Sequence, residues 1–246
     1  MAMRYAEYYA LRRQLAPGLR SNQECYASVL DRLVTPTTRW LDAGCGHQVF
    51  PWAPELEAAL VERAAFAAGC DLDEPAMRKH PFIRRVASAN LEALPYREAS
   101  FTLLSANMVV EHIARPAAVF SEFARVLAPG GQVVLHTPNA WSYFVLAARC
   151  VPERYRRRLA SHIDGRPLED VFPTHYRANR PRRITRLLKE AGFSDVHCLL
   201  VASDATIQQF RWIAIAELLI LKATLTHWGR AFRASMIVTA TRPPGA

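Results

Sequence analysis

Two hydrophobic periods alternate along this chain. Short apolar runs at 38–43 (TRWLDA), 67–71 (AAGCD), 82–86 (FIRRV), 101–106 (FTLLSA), 131–137 (GQVVLHT), 196–202 (VHCLLVA) and 235–241 (SMIVTAT) predict strands. Between most of them the apolar positions recur at helical spacing, which predicts helices near 53–66, 74–80, 116–127 and 180–191. A chain that alternates in this way builds a parallel sheet with helices on both faces. Ligands of such sheets bind beyond the carboxyl ends of the strands, so chemistry is sought there. The chain shows no internal repeat and no low-complexity linker.

The stretch RWLDAGCGHQVFPW, residues 39–52, is one such strand end. Asp42 closes the apolar run, and Gly44 and Gly46 let the backbone turn tightly where a Cβ would intrude on a ligand. The next strand ends in CDLDEP, which puts Asp71 where a carboxylate can accept both hydroxyls of a ribose. A dinucleotide is the first candidate, but its fingerprint needs a third glycine where Val49 stands, and the segment that would hold a pyrophosphate reads QVFPW. The loop suits a nucleoside without phosphates.

Over residues 22–139 the sequence resembles the class I S-adenosylmethionine (SAM)-dependent methyltransferases. LDAGCG is similar to their first motif and CDLDEPAM to the acidic second one. ANLEALPYREASFTLLSANMVVEHIARPAAVFSEFARVLAPGGQVVLHTPN follows their run from third to fifth strand. The resemblance implies a Rossmann-like, seven-stranded, mostly parallel sheet with an antiparallel last strand, an inserted segment after strand 5 and another between strands 6 and 7. It implies SAM as cofactor, with Asp42, Gly44 and Gly46 in the donor loop, Asp71 on the ribose, Leu72 packed on the adenine, Asn90 and Leu91 at its polar edge, and Asn107 also on the cofactor side. Gln48 departs from a frequent third glycine of the first motif. Thr102 departs from the usual aspartate of the fourth strand, where a structural hydroxyl can do the same job.

Methyl transfer from a sulfonium asks the protein to align a nucleophile, exclude water and, for an oxygen nucleophile, remove a proton. His112, just beyond the fourth strand, is one candidate base, since imidazole titrates in the useful range; a structural or cofactor-side role is its plainer reading, and Glu111 shares that ambiguity. His136 and Asn139, at the end of the fifth strand, face the active-site side in such a fold, with helix capping the plainer role for Asn139. The long segment that follows reads as a lid over the substrate. Within it Asp170, His175, Tyr176 and Arg177 form an ionisable cluster before a helix that Asn179 is placed to cap and Pro181 to start. His175 is the second candidate base, and His136, Tyr176 and Arg177 the candidate substrate contacts. No metal site is expected.

The chain therefore reads as one methyltransferase domain, with a helical N-terminal cap (1–37), a SAM-binding core (38–139), a lid insert (140–180) and a C-terminal part (181–246) carrying a helical insert at 207–228. That insert has an apolar stripe of Phe210, Ala214, Leu218, Leu221, Leu225 and Trp228, and a second apolar face of Trp212, Ile215 and Leu219. Its uninterrupted apolar runs are far short of the ~20 residues of a membrane span. The second face calls for a cover: core, a homodimer interface, an acyl-like substrate or peripheral contact with a membrane surface.

Charge sharpens this picture. Lys and Arg balance Asp and Glu at 14 against 14 over residues 1–140 but stand at 17 against 8 over 141–246, so the net +9 lies in the second part, with RYRRR (154–158) and RANRPRRITRLLK (177–189) its densest tracts. Solvated helix faces are the plainer reading, and a site for an anionic substrate or membrane the sharper one. Five scattered cysteines without ligand spacing, and an N-terminus without a signal-like apolar core, fit a reducing cytoplasm. The fourth strand ends in SANMVV rather than the Asn/Asp-Pro-Pro-aromatic motif of nucleic-acid amino methylation, so the acceptor expected is a small or lipid-like molecule, first at oxygen, and not a nucleic acid. The competing class is a non-catalytic scaffold of the same fold, or a basic protein associated with nucleic acid or membrane.

Overall fold

The computed structural model describes residues 3–149 and 173–244. In chain order these form α1 (Tyr5–Leu15), α2 (Asn22–Leu33), β1 (Arg39–Ala43), α3 (Pro54–Arg63), β2 (Phe66–Asp71), α4 (Glu74–Arg78), β3 (Arg85–Ser88), β4 (Phe101–Asn107), α5 (Pro116–Val126), β5 (Leu127–Pro138), α6 (Tyr143–Arg149), α7 (Pro181–Glu190), β6 (Ser194–Val201), α8 (Arg211–Leu225) and β7 (Ser235–Thr241). Single 3-10 turns at Val110–His112 and Gly229–Phe232 join neighbouring elements. Most of the expected lid, including Asp170 and the basic tract at 154–158, lies outside the described residues.

The strands form one seven-stranded sheet in the order β3-β2-β1-β4-β5-β7-β6. The ladders from β3 to β5 are parallel, whereas β7 runs against β5: Gly130 N donates to Arg242 O at one end and Asn139 N to Ala234 O at the other. This is the expected Rossmann-like architecture. The central strands are buried on both faces, as parallel strands require; Trp40, Leu41, Leu104, Val133, Val134 and Leu135 expose no surface. Chain order reverses at β1, which has β2 on one side and β4 on the other, so a crevice opens beyond the carboxyl ends of these strands.

β3 starts later than its hydrophobicity predicts. His80 Nδ1 accepts the backbone N–H of Ile83 at 3.0 Å, which folds residues 80–83 into a turn and leaves Arg85 as the first residue paired with β2. Thr102 accepts the Arg39 N–H at 2.9 Å, so a hydroxyl does hold the start of β1 where the resemblance leads one to look for an aspartate.

The chain divides into two compact units. The larger contains the described parts of Tyr26–Thr137, His175–Leu199 and Ile237–Ala246, and with them most of the sheet. Here Asn179 does not cap α7: the cap position is Arg180, and Asn179 Nδ2 instead donates to Thr137 Oγ1 at 2.6 Å. Pro181 does open the helix.

The smaller unit contains the described parts of Met1–Cys25, Pro138–Thr174 and Leu200–Met236. Tyr8, Ala16 and Leu19 bury against Ala202, Ala205 and the inner face of α8, Ala214, Leu218 and Leu221. The predicted stripe of α8 is thus correct at its centre and wrong at its ends, for Phe210 is 63% and Trp228 90% exposed. Asn139 is not a helix cap; its amide reaches the carbonyls of Ala231 and Arg233 at 2.8 and 3.0 Å, and Ser142 Oγ takes the Val145 N–H at the start of α6. Two acidic groups are held by specific donors. Glu217 receives Tyr143 OH at 2.6 Å and Ile207 N at 3.1 Å. Asp204 receives Tyr8 OH at 3.2 Å and lies 2.9 Å from Arg12, while Tyr8 OH also accepts the Ala205 N–H at 2.8 Å. Tyr8→Phe removes the acceptor of the buried Ala205 N–H and leaves Asp204 Oδ1 with Arg12, so chemical denaturation should record a loss of about 1–3 kcal/mol; unchanged stability contradicts this account of the network.

Candidate functional site

All the described candidate residues except Asn139 lie in the larger unit. β1 ends in a turn that two glycines make feasible: Gly44 has φ +77° and Gly46 φ +48°, and a Cβ on Gly44 would stand 2.4 Å from Val109 Cγ2. Asp71, at the end of β2, holds this turn from the side. Its Oδ2 accepts the Gly46 N–H at 2.9 Å and its Oδ1 the Asp73 N–H at 3.0 Å, while Gly44 N donates to Cys70 O at 2.7 Å. Next to Asp71, Leu72 is 70% exposed, an apolar side chain with nothing of this chain over most of it.

Past the third strand, Asn90 Oδ1 accepts the Glu92 N–H at 3.0 Å, closing a short turn that also presents Leu91. This segment is pinned to α5. Arg115 Nε bonds Glu92 at 3.0 Å, Glu122 accepts the Leu94 N–H at 3.0 Å, and Arg125 donates to the carbonyls of Leu94 and Tyr96 at 3.1 and 2.8 Å.

Behind the glycine turn the polar groups are enclosed. Asp42 is 1% exposed; Ser105 donates to its Oδ1 and in turn accepts from Trp40 Nε1 at 2.7 Å. Burial pushes the Asp42 carboxyl up to about 8, against the opposing pull of the Ser105 bond. Asn107 spans from loop to strand, its Nδ2 donating to Val49 O at 3.2 Å and its Oδ1 lying 2.7 Å from His136 Nδ1. An amide oxygen only accepts, so His136 Nδ1 carries the proton. His136, expected to face an acceptor, is fully buried and stacked 5.3 Å from Tyr26, and burial pulls its imidazole down to about 3. It is a strut under the site rather than an open contact.

Beyond β4 the chain brings the two candidate bases into one neighbourhood. Glu111 is 4% exposed, with Oε2 accepting Thr137 Oγ1 at 2.9 Å and Oε1 3.9 Å from His112 Nε2, a distance for charge attraction but not for a hydrogen bond. The His112 side chain is 33% exposed. The Glu111 carbonyl accepts from His175 N at 2.7 Å and Tyr176 N at 3.1 Å, and Arg177 Nη1 donates to Ala114 O at 2.9 Å. Residues 175–177 are thus stapled to 111–114 by two backbone bonds and one from the Arg177 side chain, with Tyr176 at φ +51°.

Residues 8–198 match a family model described as a methyltransferase domain. The chain belongs to the class I SAM-dependent methyltransferases. It is 31% identical over 122 residues to a malonyl-[acyl-carrier protein] O-methyltransferase of Erwinia billingiae, covering 46% of this chain and 43% of that protein. It is 30% identical over 117 residues to a ubiquinone biosynthesis O-methyltransferase of Hahella chejuensis, covering 44% and 47%. The fold is similar to that of a SAM-dependent methyltransferase from Mesorhizobium loti, with TM-score 0.58 and 19% identity over 87% of this chain and 96% of that one. The matches span about half or less of the curated relatives' length.

The turn of this methyltransferase fits the cofactor of its family. Gly44 leaves room that Val109 would contest with any side chain, Asp71 presents a carboxylate at a strand end, and Leu72 offers an uncovered apolar surface beside it. Sequence reasoning missed two residues that shape the turn. Glu57, on α3, is buried and accepts the Phe50 N–H at 2.8 Å, holding the loop where a third glycine is absent. His80 Nε2 lies 3.3 Å from the other Glu57 oxygen. Burial raises the Glu57 carboxyl and draws His80 down to about 4, so both are pushed toward their neutral forms. A glutamate four residues into a helix reads as surface charge, and nothing local marks it otherwise.

The raised Asp42 carboxyl has a consequence for stability. A group whose folded pKa lies above its unfolded value, here about 8 against 3.8, stabilises fully below the unfolded value and loses that contribution as pH rises through the folded one. Between about pH 7.5 and 8 the buried histidines are largely neutral in both states. In that window stability should fall with rising pH, and Asp42→Asn should flatten the decline in denaturant titrations; an unaltered slope would show that Asp42 is ionised in the fold.

Proposed function

We propose that this methyltransferase moves the SAM methyl group to an oxygen of a small or lipid-like acceptor, with His112 as general base. The observation that carries the reading is the buried Glu111 carboxylate, which accepts a bond from a Thr137 hydroxyl held in turn by Asn179, and which is set 3.9 Å from a partly exposed imidazole. Both O-methyltransferase relatives, whose named acceptors belong to them, favour oxygen over nitrogen or carbon.

In this reading Gly44 and Gly46 admit the donor against bare backbone, Asp71 accepts the ribose hydroxyls while still holding the Gly46 N–H, Leu72 packs on the adenine, and Asn90 and Leu91 meet its polar edge. SAM, when bound, supplies an electrophilic methyl. The protein's own work is then alignment, exclusion of water and removal of one proton. His112 takes the acceptor proton, and the Glu111 carboxylate stabilises the imidazolium that results, much as a buried carboxylate supports a catalytic histidine elsewhere. Tyr176 and Arg177, stapled beside His112, orient the acceptor, and His175 is the alternative base on the same staple.

Two variants test the parts separately. Asp71→Ala should weaken SAM binding, read by isothermal titration, by roughly 1.5–3 kcal/mol per charge-assisted bond lost, with the fold retained; equal affinity moves the ribose contact elsewhere. His112→Asn should lower turnover with little change in SAM affinity, and the deficit should shrink as pH rises and the acceptor ionises unaided. Parallel loss of SAM binding would make His112 a cofactor-side residue, and no SAM binding by the unaltered protein would favour the scaffold.

A further inference from the structure

The outer side of α8 is apolar and uncovered among the described residues. Trp212 is 78% exposed, Ile213 45%, Leu219 50% and Ile220 46%, although the opposite side of the same helix is packed in the core of its unit. The chain beyond the helix continues the surface with Trp228, 90% exposed, and Phe232, 46% exposed. A helix that is apolar all round is ordinarily enclosed or in contact with lipid. This one is enclosed on one side only.

Charge decides what fits the other side. Arg211, Lys222 and Arg230 are exposed along the same stretch. From residue 205 to the end of the sequence there is one acidic residue, Glu217; it is buried and bonded to Tyr143 and Ile207. The carboxylate of Glu7 on α1, which acts on Arg211, is already paired with Arg4 at 2.8 Å. Among the described residues, the uncovered face therefore offers large apolar groups and cations with no free anion beside them.

We propose that this face docks on the surface of an anionic phospholipid bilayer, with α8 lying in the plane of the interface. Aromatic side chains at the level of the headgroups and cations against lipid phosphates are the chemistry such a surface selects. A second copy is a poorer occupant, because a two-fold contact would bring the cations Arg211, Lys222 and Arg230 of both copies into one interface with no carboxylate of this stretch to pair them. Spanning is excluded for this helix: its 15 residues are too few, and no helix among the described residues is long and apolar enough to cross a membrane. The inference stands apart from the acceptor reading, since its residues all belong to the smaller unit.

Co-sedimentation of the full chain with phosphatidylcholine vesicles, with and without phosphatidylglycerol, tests it. The protein should pellet with the anionic vesicles at low salt, stay in solution with the neutral ones, and be released as salt rises. Lys222→Gln should weaken partitioning about fivefold, and Trp212→Ser and Trp228→Ser about tenfold each. SAM titration and circular dichroism on the same variants should match the parent, which separates loss of docking from loss of fold or of methyl-donor binding. The proposal is overturned if the parent protein ignores anionic vesicles, or if the tryptophan variants pellet as well as the parent. It is overturned equally by a dimer in light scattering that Trp212→Ser dissociates, which would assign the face to a second copy.

Discussion

The functional end of this sheet depends on one carboxylate. Asp71 sits at the end of β2 and reaches across to the neighbouring strand's turn, where it accepts the Gly46 N–H, and it holds its own following segment through the Asp73 N–H. Residues with positive φ gain little from their neighbours, and two of them in three positions need an outside anchor to keep one shape. Because the anchor is charged, its bonds are of the stronger kind. The same carboxylate that shapes the turn is the one offered to a ribose, so the turn and the proposed contact cannot be tuned independently.

Around that anchor, polar side chains reinforce paired strands and tie the glycine loop to its surroundings. The Trp40–Ser105–Asp42 chain ties β1 to β4, Glu57 and His80 tie the glycine loop to the segment before β3, and Asn107 ties the loop's Val49 to His136 on β5. These groups are buried, and their pKa shifts have the sign burial gives: carboxylates up, imidazoles down. The bonds they make offset part of the cost of enclosing them, while Glu57 Oε1, His80 Nε2 and His136 Nε2 have no hydrogen-bond partner among the described residues.

The strand ends were legible because each is marked by a local event: an apolar run, then Asp42 with its glycines, or Asp71 with its exposed leucine. The architecture followed from the alternation of periods, and the antiparallel β7 from the resemblance. What escaped was decided by partners distant in the chain. Asn139 and Asn179 look like helix caps from their neighbours, yet their amides go to carbonyls around residue 232 and to Thr137. His136 looks like a strand-end ligand, yet Asn107 and Tyr26 enclose it. Helical periodicity placed Phe210 and Trp228 in the core because it assumes an unbroken helix, whereas α8 begins after the one and ends before the other.

The central claim is that the Asp71-held turn between β1 and β2 is the seat of the methyl donor. Titrating isotopically labelled protein with S-adenosylhomocysteine, and following backbone amide resonances, tests it without an acceptor. The account predicts saturable shifts concentrated at Gly44, Gly46, Asp71, Leu72 and Leu91. Saturable binding whose shifts bypass these residues would contradict it.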